Sequence, residues 1–520
     1  MIPAMIAVGA GALLEPSLMS NDPARYEQET HGASPLLEGD YGWRQRGGLI
    51  VGILLLLAGF MVPPQFGMSG EATRVAMLAL TMAVLWVTEA LPIPATALLP
   101  LVMLPALGVY QGKSAMKDAA APYADPIIYL FMGGFMLSLA MERWNLHRRI
   151  ALAIIDRVGT RPRSLILGFL IAAAFVSMWT SNAATAMMLM PIGLSVFGMI
   201  RESQGAEKAR EFGAALVLSI AYGANVGGMG TLIGTPPNTI LKGYVESTFH
   251  TEVGFAKWMM LGVPLVLVAL PLVYLILTRL SFRVSNESLP GIHEALREER
   301  RGLGRMAWPE WAVTGTFLLA VGLWVSRELW KARFPAVTDE VIAMGCALLL
   351  FAVPVDAGKG VFALDWTCLK KMPWDVLVLF GGGLSLAAAI EKTKLAVAMA
   401  GGLQGMAGMP AFVIVLLVSA VMVVATAKTS NTATTAAFLP VIGSLAAAVH
   451  QPALLLCIPV TLAASADFAL PVGTPPNAIA FGTGLVSLPR MIKAGIWVDL
   501  LFVILIPMMM WTVGRWVFGV

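Results

Sequence analysis

The chain has 520 residues, of which 58% are hydrophobic and 13% are charged, and its mean hydropathy is +0.78. A soluble domain is about half apolar and about a quarter charged, so this composition excludes an ordinary soluble protein and indicates a polytopic membrane protein. The net charge is only +4, and no basic patch is interleaved with aromatic residues, which argues against a nucleic-acid partner. The apolar runs are continuous rather than alternating, which favours an all-α protein over a β-barrel.

Residues 1–47 predict a flexible N-terminal tail. The stretch 20–46 is polar and rich in glycine and proline. The weakly apolar stretch 1–19 lacks the basic start of a cleaved signal peptide. Arg44 and Arg46 precede the first apolar run, which favours a cytoplasmic N-terminus in an inner (plasma) membrane protein.

The apolar runs beyond the tail predict about 11 transmembrane helices. These spans lie near 48–63, 73–91, 93–110, 126–142, 213–248, 257–280, 309–327, 338–355, 374–392, 452–485 and 494–518. Asp125 comes just before the span 126–142 and Asp375 stands at the start of the span 374–392, and both are predicted to cap these helices.

Two further segments, 164–200 and 410–449, each carry a polar motif in the middle of an apolar stretch and predict re-entrant hairpins. Two ordinary spans in each segment would return the chain to the same side, so this alternative stays open. With either reading, the basic segments 142–163, 201–211 and 280–305 fall on the side of the N-terminus, as the positive-inside rule requires. The stretch 281–308 therefore predicts a cytoplasmic linker.

Three motifs occur twice in the same order, which indicates an internal duplication. TSNAATAMMLMP at 180–191 matches TSNTATTAAFLP at 429–440, and FMGGFMLSLAME at 131–142 matches FGGGLSLAAAIE at 380–391, both 249 positions later. GTPPNTI at 234–240 matches GTPPNAI at 473–479.

The two copies, 48–280 and 309–520, are predicted to be inverted. The chain crosses the membrane an odd number of times between matching positions in the predicted topology. Inverted repeats are typical of secondary transporters, which hold their substrate near the midplane between the repeats.

The GTPPN motifs predict that the spans 213–248 and 452–485 are broken helices. Paired prolines remove amide donors, and the preceding glycine permits unusual dihedral angles. The freed carbonyls and the Ser, Thr and Asn oxygens suit Na⁺, whereas helix N-termini suit an anion. The alternative is that these residues only cap hairpin helices and kink a span.

With these motifs, above all LPVGTPPNAIAFGTG at 470–484, the sequence resembles the divalent anion:sodium symporter family, the sodium-coupled dicarboxylate and citrate carriers. The resemblance covers roughly residues 48 to 518. It implies an elevator-type homodimer in the lipid bilayer, with a scaffold and a moving transport part that holds the hairpins and the broken helices. The implied ligands are a small dicarboxylate anion and sodium ions, with no cofactor.

The resemblance also implies the site residues. The first sodium site would use Ser177, Ser181, Asn182 and the backbone near Gly230. The second would use Thr426, Thr429, Asn431 and the backbone near Gly473. The substrate carboxylates would be held by Asn182, Asn431 and Thr432, helped by Thr231, Thr474 and Pro475. Ala183 stands where the family has a threonine, so one hydroxyl donor to the substrate is missing.

The sequence therefore predicts a sodium-coupled carrier of C4-dicarboxylates such as succinate, malate and fumarate. Lys428 either snorkels to the extracellular interface or provides a fixed charge in the cavity, and a fixed charge would favour a sodium-independent dicarboxylate exchanger. The same motifs also fit a sulfate or citrate carrier on the same frame and, less well, a non-transporting anion-binding membrane protein. An enzyme is not expected, because no nucleophile with a base and no metal-ligand cluster is recognisable.

Overall fold

The computed structural model describes residues 41–64, 68–159, 161–285, 292–398, 408–427 and 429–520. The chain is mostly helical in these ranges. The helices before residue 285 are α1 (Trp43–Met61), α2 (Gly70–Thr88), α3 (Ile93–Ala97), α4 (Leu99–Ala106), α5 (Ala115–Ala120), α6 (Pro126–Arg143), α7 (Leu146–Val158), α8 (Pro162–Ser177), α9 (Asn182–Gln204), α10 (Ala206–Gly228), α11 (Pro236–Phe249) and α12 (Phe255–Leu275).

The rest of the described chain adds further helices and one small antiparallel sheet of two strands. The helices are α13 (Ile292–Gly302), α14 (Trp308–Trp330), α15 (Asp339–Ala352), α16 (Trp374–Lys392), α17 (Ala411–Thr426), α18 (Asn431–Ala448), α19 (Ala453–Ala464), α20 (Pro475–Gly482), α21 (Leu488–Met509) and α22 (Arg515–Phe518). The strands are β1 (Pro354–Asp356) and β2 (Val361–Phe362).

Eight helical stretches of the described residues are long and apolar enough to cross a membrane. Four shorter apolar stretches accompany them, at Ile93–Ala106, Pro162–Ser177, Ala411–Thr426 and Ala453–Ala464. The chain is therefore a multi-pass membrane protein, and the number of about 11 crossings stays a prediction.

Three boundaries differ from those that the sequence predicts. The first helix begins at Trp43, inside the range 1–47 assigned to the tail. The predicted span 93–110 is interrupted at Leu98, which ends α3 and precedes α4, because prolines in the first turn of each helix cannot continue a hydrogen-bond ladder. The linker 281–308 contains α13.

The helices that carry the polar motifs pack on one another across the two halves of the sequence. Within the first half α8 packs on α10, where a Cβ on Gly227 would overlap the carbonyl of Ala174. Within the second half α17 packs on α19. Between the halves, α9 and α10 pack on α20, and α18 packs on α11. This packing places the helix that follows each GTPPN motif against the hairpin helices of the other half.

Candidate substrate and cation site

The first polar motif forms the turn between α8 and α9. Ser181 is the N-cap residue of α9, and its hydroxyl accepts a hydrogen bond from the amide of Ala184 at 3.2 Å. The hydroxyls of Thr180 and Thr185 lie 2.8 Å apart. Small polar side chains satisfy the free amides of a helix N-terminus here, which would otherwise face an apolar environment.

The second copy of the motif forms the turn between α17 and α18 with the same contacts. Ser430 is the N-cap residue of α18 and accepts from the amide of Ala433 at 3.5 Å. The hydroxyls of Thr429 and Thr434 lie 2.5 Å apart. Each of these residues lies 249 positions after its counterpart, so the duplication is preserved contact by contact. Lys428 lies outside the described residues.

The asparagine that opens each second arm contacts the last residue of the first arm. The side-chain amide of Asn182 lies 2.5 Å from Ser177 Oγ, with its nitrogen best placed toward the carbonyls of Ala224 (3.2 Å) and Gly234 (3.3 Å). In the second copy, Thr426 Oγ1 donates to Asn431 Oδ1 at 2.6 Å. These contacts close each hairpin tip with groups that offer oxygen ligands to a small cation.

Both helices that carry the GTPPN motif are interrupted before it. The chain is not helical at 229–235, between α10 and α11, nor at 465–474, between α19 and α20. Asn238 Nδ2 donates to the carbonyls of Gly228 (3.1 Å) and Thr231 (2.8 Å). Because prolines begin α11 and α20, each interruption leaves carbonyls without helical partners. In the first interruption, Asn238 satisfies two of these carbonyls.

Asn477 repeats this arrangement in the second copy. Its Nδ2 donates to the carbonyls of Asp467 and Leu470, each at 3.1 Å. Asn477, Asp467 and Leu470 lie 239 positions after Asn238, Gly228 and Thr231. We call the stretches 229–235 and 465–474 the first and second interrupted segments.

Asn225 of α10 joins the two halves of the site. Its Nδ2 donates to Thr474 Oγ1 at 2.9 Å and to Asn477 Oδ1 at 3.3 Å. Three residues earlier, Tyr222 Oη donates to the carbonyl of Phe468 at 2.8 Å. Sequence reasoning missed Asn225, although one amide side chain in the apolar run AYGANVGG is a signal that could have identified it.

The residues predicted to bind substrate fall into two groups. Asn182, Ala183, Asn431 and Thr432 are partly exposed at the hairpin tips, and Pro475 is exposed at the start of α20. These five positions are accessible to a ligand.

Thr231 and Thr474, by contrast, are buried, and their hydroxyls have protein partners. Thr231 Oγ1 donates to the carbonyl of Met178 at 2.5 Å, which ties the first hairpin to the first interrupted segment. Thr474 accepts from Asn225 and from the amide of Asn477. A ligand would have to displace the bond of Thr231 to receive its hydroxyl hydrogen, whereas the hydroxyl of Thr474 only accepts in these bonds and keeps its own hydrogen to donate.

The residues predicted to bind sodium are mostly buried. Ser177 and Thr426 are fully buried, and Thr426 Oγ1 also lies 2.9 Å from the carbonyl oxygen of Ala464, an alternative acceptor for its one hydrogen. The backbone positions Gly230 and Gly473 are buried as well, whereas Ser181 is exposed. By its contacts, Thr429 is the counterpart of Thr180 and not of Ser181. The two predicted sodium sites therefore use positions of the two hairpins that do not correspond to each other.

Hydroxyls, amides and backbone carbonyls dominate the site. Apart from Lys428, the only ionisable residue in the hairpin turns and interrupted segments is Asp467, which sequence reasoning did not single out. An acid within the apolar stretch LAASADFALPV was a recognisable signal.

The described residues include no group of three or more His, Cys, Asp or Glu side chains placed to hold a metal ion. The neutral oxygens of the hydroxyls, amides and backbone carbonyls at this site suit an alkali cation, and the N-termini of α9 and α18 suit an anion.

Polar hairpin tips that meet interrupted helices inside a multi-pass helical protein define a membrane transporter. Residues 45–520 match the family described as the sodium:sulfate symporter transmembrane region, and the chain belongs to this family of transporters, which are not enzymes. Relatives named sodium-dependent dicarboxylate transporter SdcS are 41% identical in Staphylococcus saprophyticus and 39% identical in Staphylococcus aureus. The first alignment covers 92% of this chain and 93% of the relative, and the second covers 91% and 92%.

Two solved transporters share the fold at low sequence identity. The YdaH transporter of Alcanivorax borkumensis is 14% identical with a TM-score of 0.54, and the alignment covers 86% of this chain and 98% of that one. The MtrF protein of Neisseria gonorrhoeae is 13% identical with a TM-score of 0.56, covering 94% and 97%. The likeness concerns the fold alone.

Proposed function

We propose that this protein is a secondary active transporter that moves C4-dicarboxylates such as succinate, malate and fumarate across the inner membrane together with sodium ions. The carrying observation is the repeated tip geometry, in which Asn182 contacts Ser177 and Asn431 contacts Thr426. The names of the relatives from both staphylococci support sodium as the coupling ion and a dicarboxylate as the substrate.

Two sodium ions bind at the hairpin tips in this proposal. The first is held by Ser177, Ser181, Asn182 and the backbone near Gly230, and the second by Thr426, Thr429, Asn431 and the backbone near Gly473. The dianion lies between the tips, against Asn182, Asn431, Thr432 and Pro475. Thr231 takes part only after its bond to Met178 opens, whereas Thr474 keeps its hydroxyl hydrogen to donate.

Coupling to sodium has a direct energetic reason. A dianion that enters a negative cell is opposed by about 2.3 kcal/mol per charge per 100 mV. Two co-transported sodium ions cancel this cost, and a third reverses it. Apart from Lys428, the side chains at the tips are neutral, so the cations themselves provide the positive charge that the carboxylates need.

The proposed mechanism is an elevator movement within a homodimer. The segments 164–200 and 410–449 are re-entrant hairpins, the copies 48–280 and 309–520 are inverted, and the N-terminus is cytoplasmic. The hairpins and broken helices move as one transport part against a scaffold. The interlocked packing of α9 and α10 on α20, and of α18 on α11, supports this grouping.

Uptake of radiolabelled succinate into proteoliposomes tests the proposal. An inward sodium gradient is compared with an equal potassium gradient for the wild type, Asn431→Ala and Ser444→Ala. Ser444 is a matched control, because it lies on the same helix and its hydroxyl donates only to the carbonyl of Pro440. Uptake that requires sodium, is lost in Asn431→Ala and survives in Ser444→Ala is the expected result.

Two outcomes would redirect the proposal. Uptake that ignores sodium but needs internal dicarboxylate would establish an exchanger. The description of the family as sodium:sulfate symporters favours sulfate as the second candidate substrate. Unlabelled sulfate that competes with succinate at equal concentration would identify a sulfate carrier.

A further inference from the structure

The second interrupted segment contains a buried carboxylate that lacks a partner. Asp467 is 1% exposed, and neither of its carboxylate oxygens has a hydrogen-bond partner among the described residues. The amide of Leu470 approaches the carboxylate without reaching normal hydrogen-bond geometry. An unpaired acid in a membrane-embedded protein is costly and calls for a counter-charge.

The carboxylate of Asp467 lies against the backbone of Gly473. A Cβ at position 473 would overlap Asp467 Oδ2, so only glycine leaves room for this carboxylate. Gly473 is also the backbone position of the proposed second sodium site. The unpartnered oxygens therefore lie beside the place where a cation is expected.

A second acid adjoins Asp467 and adds to the unbalanced charge. Asp499 of α21 accepts a hydrogen bond from the amide of Phe468 at 3.0 Å. No Lys, Arg or His in the described part of the chain forms an ion pair with either acid. The hydroxyl of Ser465, which is 2% exposed, is likewise without a partner there. Two neighbouring carboxylates repel each other in a medium of low dielectric constant, and a bound cation would relieve this repulsion.

The first interrupted segment has no such acid. Asn238 binds the carbonyls of Gly228 and Thr231 as Asn477 binds those of Asp467 and Leu470. Gly228 is therefore the counterpart of Asp467, and the first interrupted segment lacks the carboxyl side chain that the second one has.

We propose that Asp467 is an anionic ligand of a monovalent cation bound at the second interrupted segment, and that Asp499 strengthens this site through its charge. The inference rests on the proposed sodium-coupled function and deepens it. Carboxylate and backbone oxygens are hard ligands that suit sodium. The second cation site is consequently charged and binds its ion before substrate arrives, whereas the first is neutral.

Thermal unfolding of the purified full-length protein tests this site without substrate. The melting temperature is followed against NaCl, with choline chloride keeping the ionic strength constant. A cation that binds the folded state stabilises it by mass action, so the sodium dependence gives an apparent affinity. The variants are Asp467→Asn, Asp499→Asn and the control Asp339→Asn. Asp339 is a buried acid of α15 that accepts from the amide of Phe255.

The expected result is a loss of sodium affinity of about tenfold or more in Asp467→Asn, since even second-layer changes at metal sites cost about 10- to 100-fold. Asp499→Asn keeps an acceptor for Phe468 and loses severalfold less. In choline, Asp467→Asn melts no lower than the wild type, because an unpaired buried charge has been removed. Asp339→Asn keeps wild-type sodium affinity.

Three outcomes would overturn the inference. Wild-type sodium affinity in both Asp467→Asn and Asp499→Asn excludes the site, and an equal loss of melting temperature in both salts assigns Asp467 a structural role. If protons and not sodium ions stabilise the wild type, Asp467 binds a proton and not a metal cation.

If succinate uptake is sodium-driven while Asp467→Asn keeps its affinity for sodium, only this inference fails. A wild type with neither sodium response nor uptake overturns the proposed function as well.

Discussion

One of the differences between the two hairpin tips concerns a hydroxyl group next to the matching asparagines Asn182 and Asn431. Ala183 and Thr432 lie 249 positions apart, each directly after the asparagine of its tip, and both are partly exposed. The second tip therefore offers a hydroxyl that the first tip lacks. This difference affects how the two carboxylates of a substrate are held.

Ala183→Thr is expected to lower the KM for succinate by roughly fivefold. One additional hydrogen bond contributes about 1 kcal/mol net, which corresponds to that factor. The measurement is the concentration dependence of sodium-driven uptake. Ala183→Val has the same shape without the hydroxyl and should not lower the KM. Equal effects of the two variants would show that bulk, and not hydrogen bonding, matters at this position.

Single residues were predictable from sequence where local chemistry decides their role. The predicted cap at Asp125 is confirmed, because its carboxylate accepts from the amide of Ile127 at 2.9 Å. The predicted cap at Asp375 is wrong: α16 already begins at Trp374 after Pro373, so Asp375 lies in its first turn. Asn225 depends on partners about 250 positions away, and no local pattern reveals them.

The contact between α11 and α15 joins a broken helix to a helix outside the motifs. Lys242 of α11 is 3% exposed, and its Nζ lies 2.6 Å from Glu246 on the same helix and 3.3 Å from Glu340 on α15. If α11 belongs to the moving transport part, the contact with Glu340 must break during each cycle. The contact with Glu246 travels with the helix.

Glu340→Gln is expected to raise the maximal rate of succinate exchange by about fivefold or more. A charge-assisted hydrogen bond contributes about 1.5–3 kcal/mol, and its loss makes it easier to leave the present conformation. The assay is counterflow at saturating sodium and substrate. Glu246→Gln removes an equal charge from within α11 and should not accelerate exchange. An unchanged or lower rate in Glu340→Gln would argue against sliding between these helices.

Helix boundaries were predictable where proline and small polar residues interrupt an apolar run. Helix α8 ends at Ser177 and α17 at Thr426, inside the segments that the sequence marks by their polar motifs. The interruption at Leu98 was missed, because hydropathy averages over the prolines in 93–110. The partners of each helix depend on tertiary packing, which one sequence does not display.

At the scale of the whole molecule, the distribution of basic residues predicts which loops face the cytoplasm. Helix α13 is rich in charged residues, with Arg297, Arg300 and Arg301 beside the loop that follows it. The loop after α14 contains Arg333 and lies on the opposite side in the predicted topology. Hydropathy alone defines the spans and not their direction, so this orientation remains a prediction.

Cysteine labelling checks the orientation in a Cys368→Ser background, since Cys346 and Cys457 are buried. Glu294→Cys on α13 is expected to react with a membrane-impermeant maleimide only after the cells are permeabilised. Arg333→Cys, which is equally exposed, is expected to react in intact cells. The reverse pattern would invert the topology and place the N-terminus outside.

The turn of the first hairpin also contains an indole whose surroundings belong to other elements. Trp179 is 7% exposed, stacks on Phe255 of α12 at 6.4 Å and meets Phe317 of α14 edge-on at 5.0 Å. Its Nε1 has no hydrogen-bond partner among the described residues. Tryptophan emission shifts to longer wavelength when the ring becomes hydrated. Trp179 is therefore a built-in reporter of this contact. A hairpin that leaves α14 during the cycle would shift the fluorescence emission of this tryptophan to longer wavelength, without any attached dye.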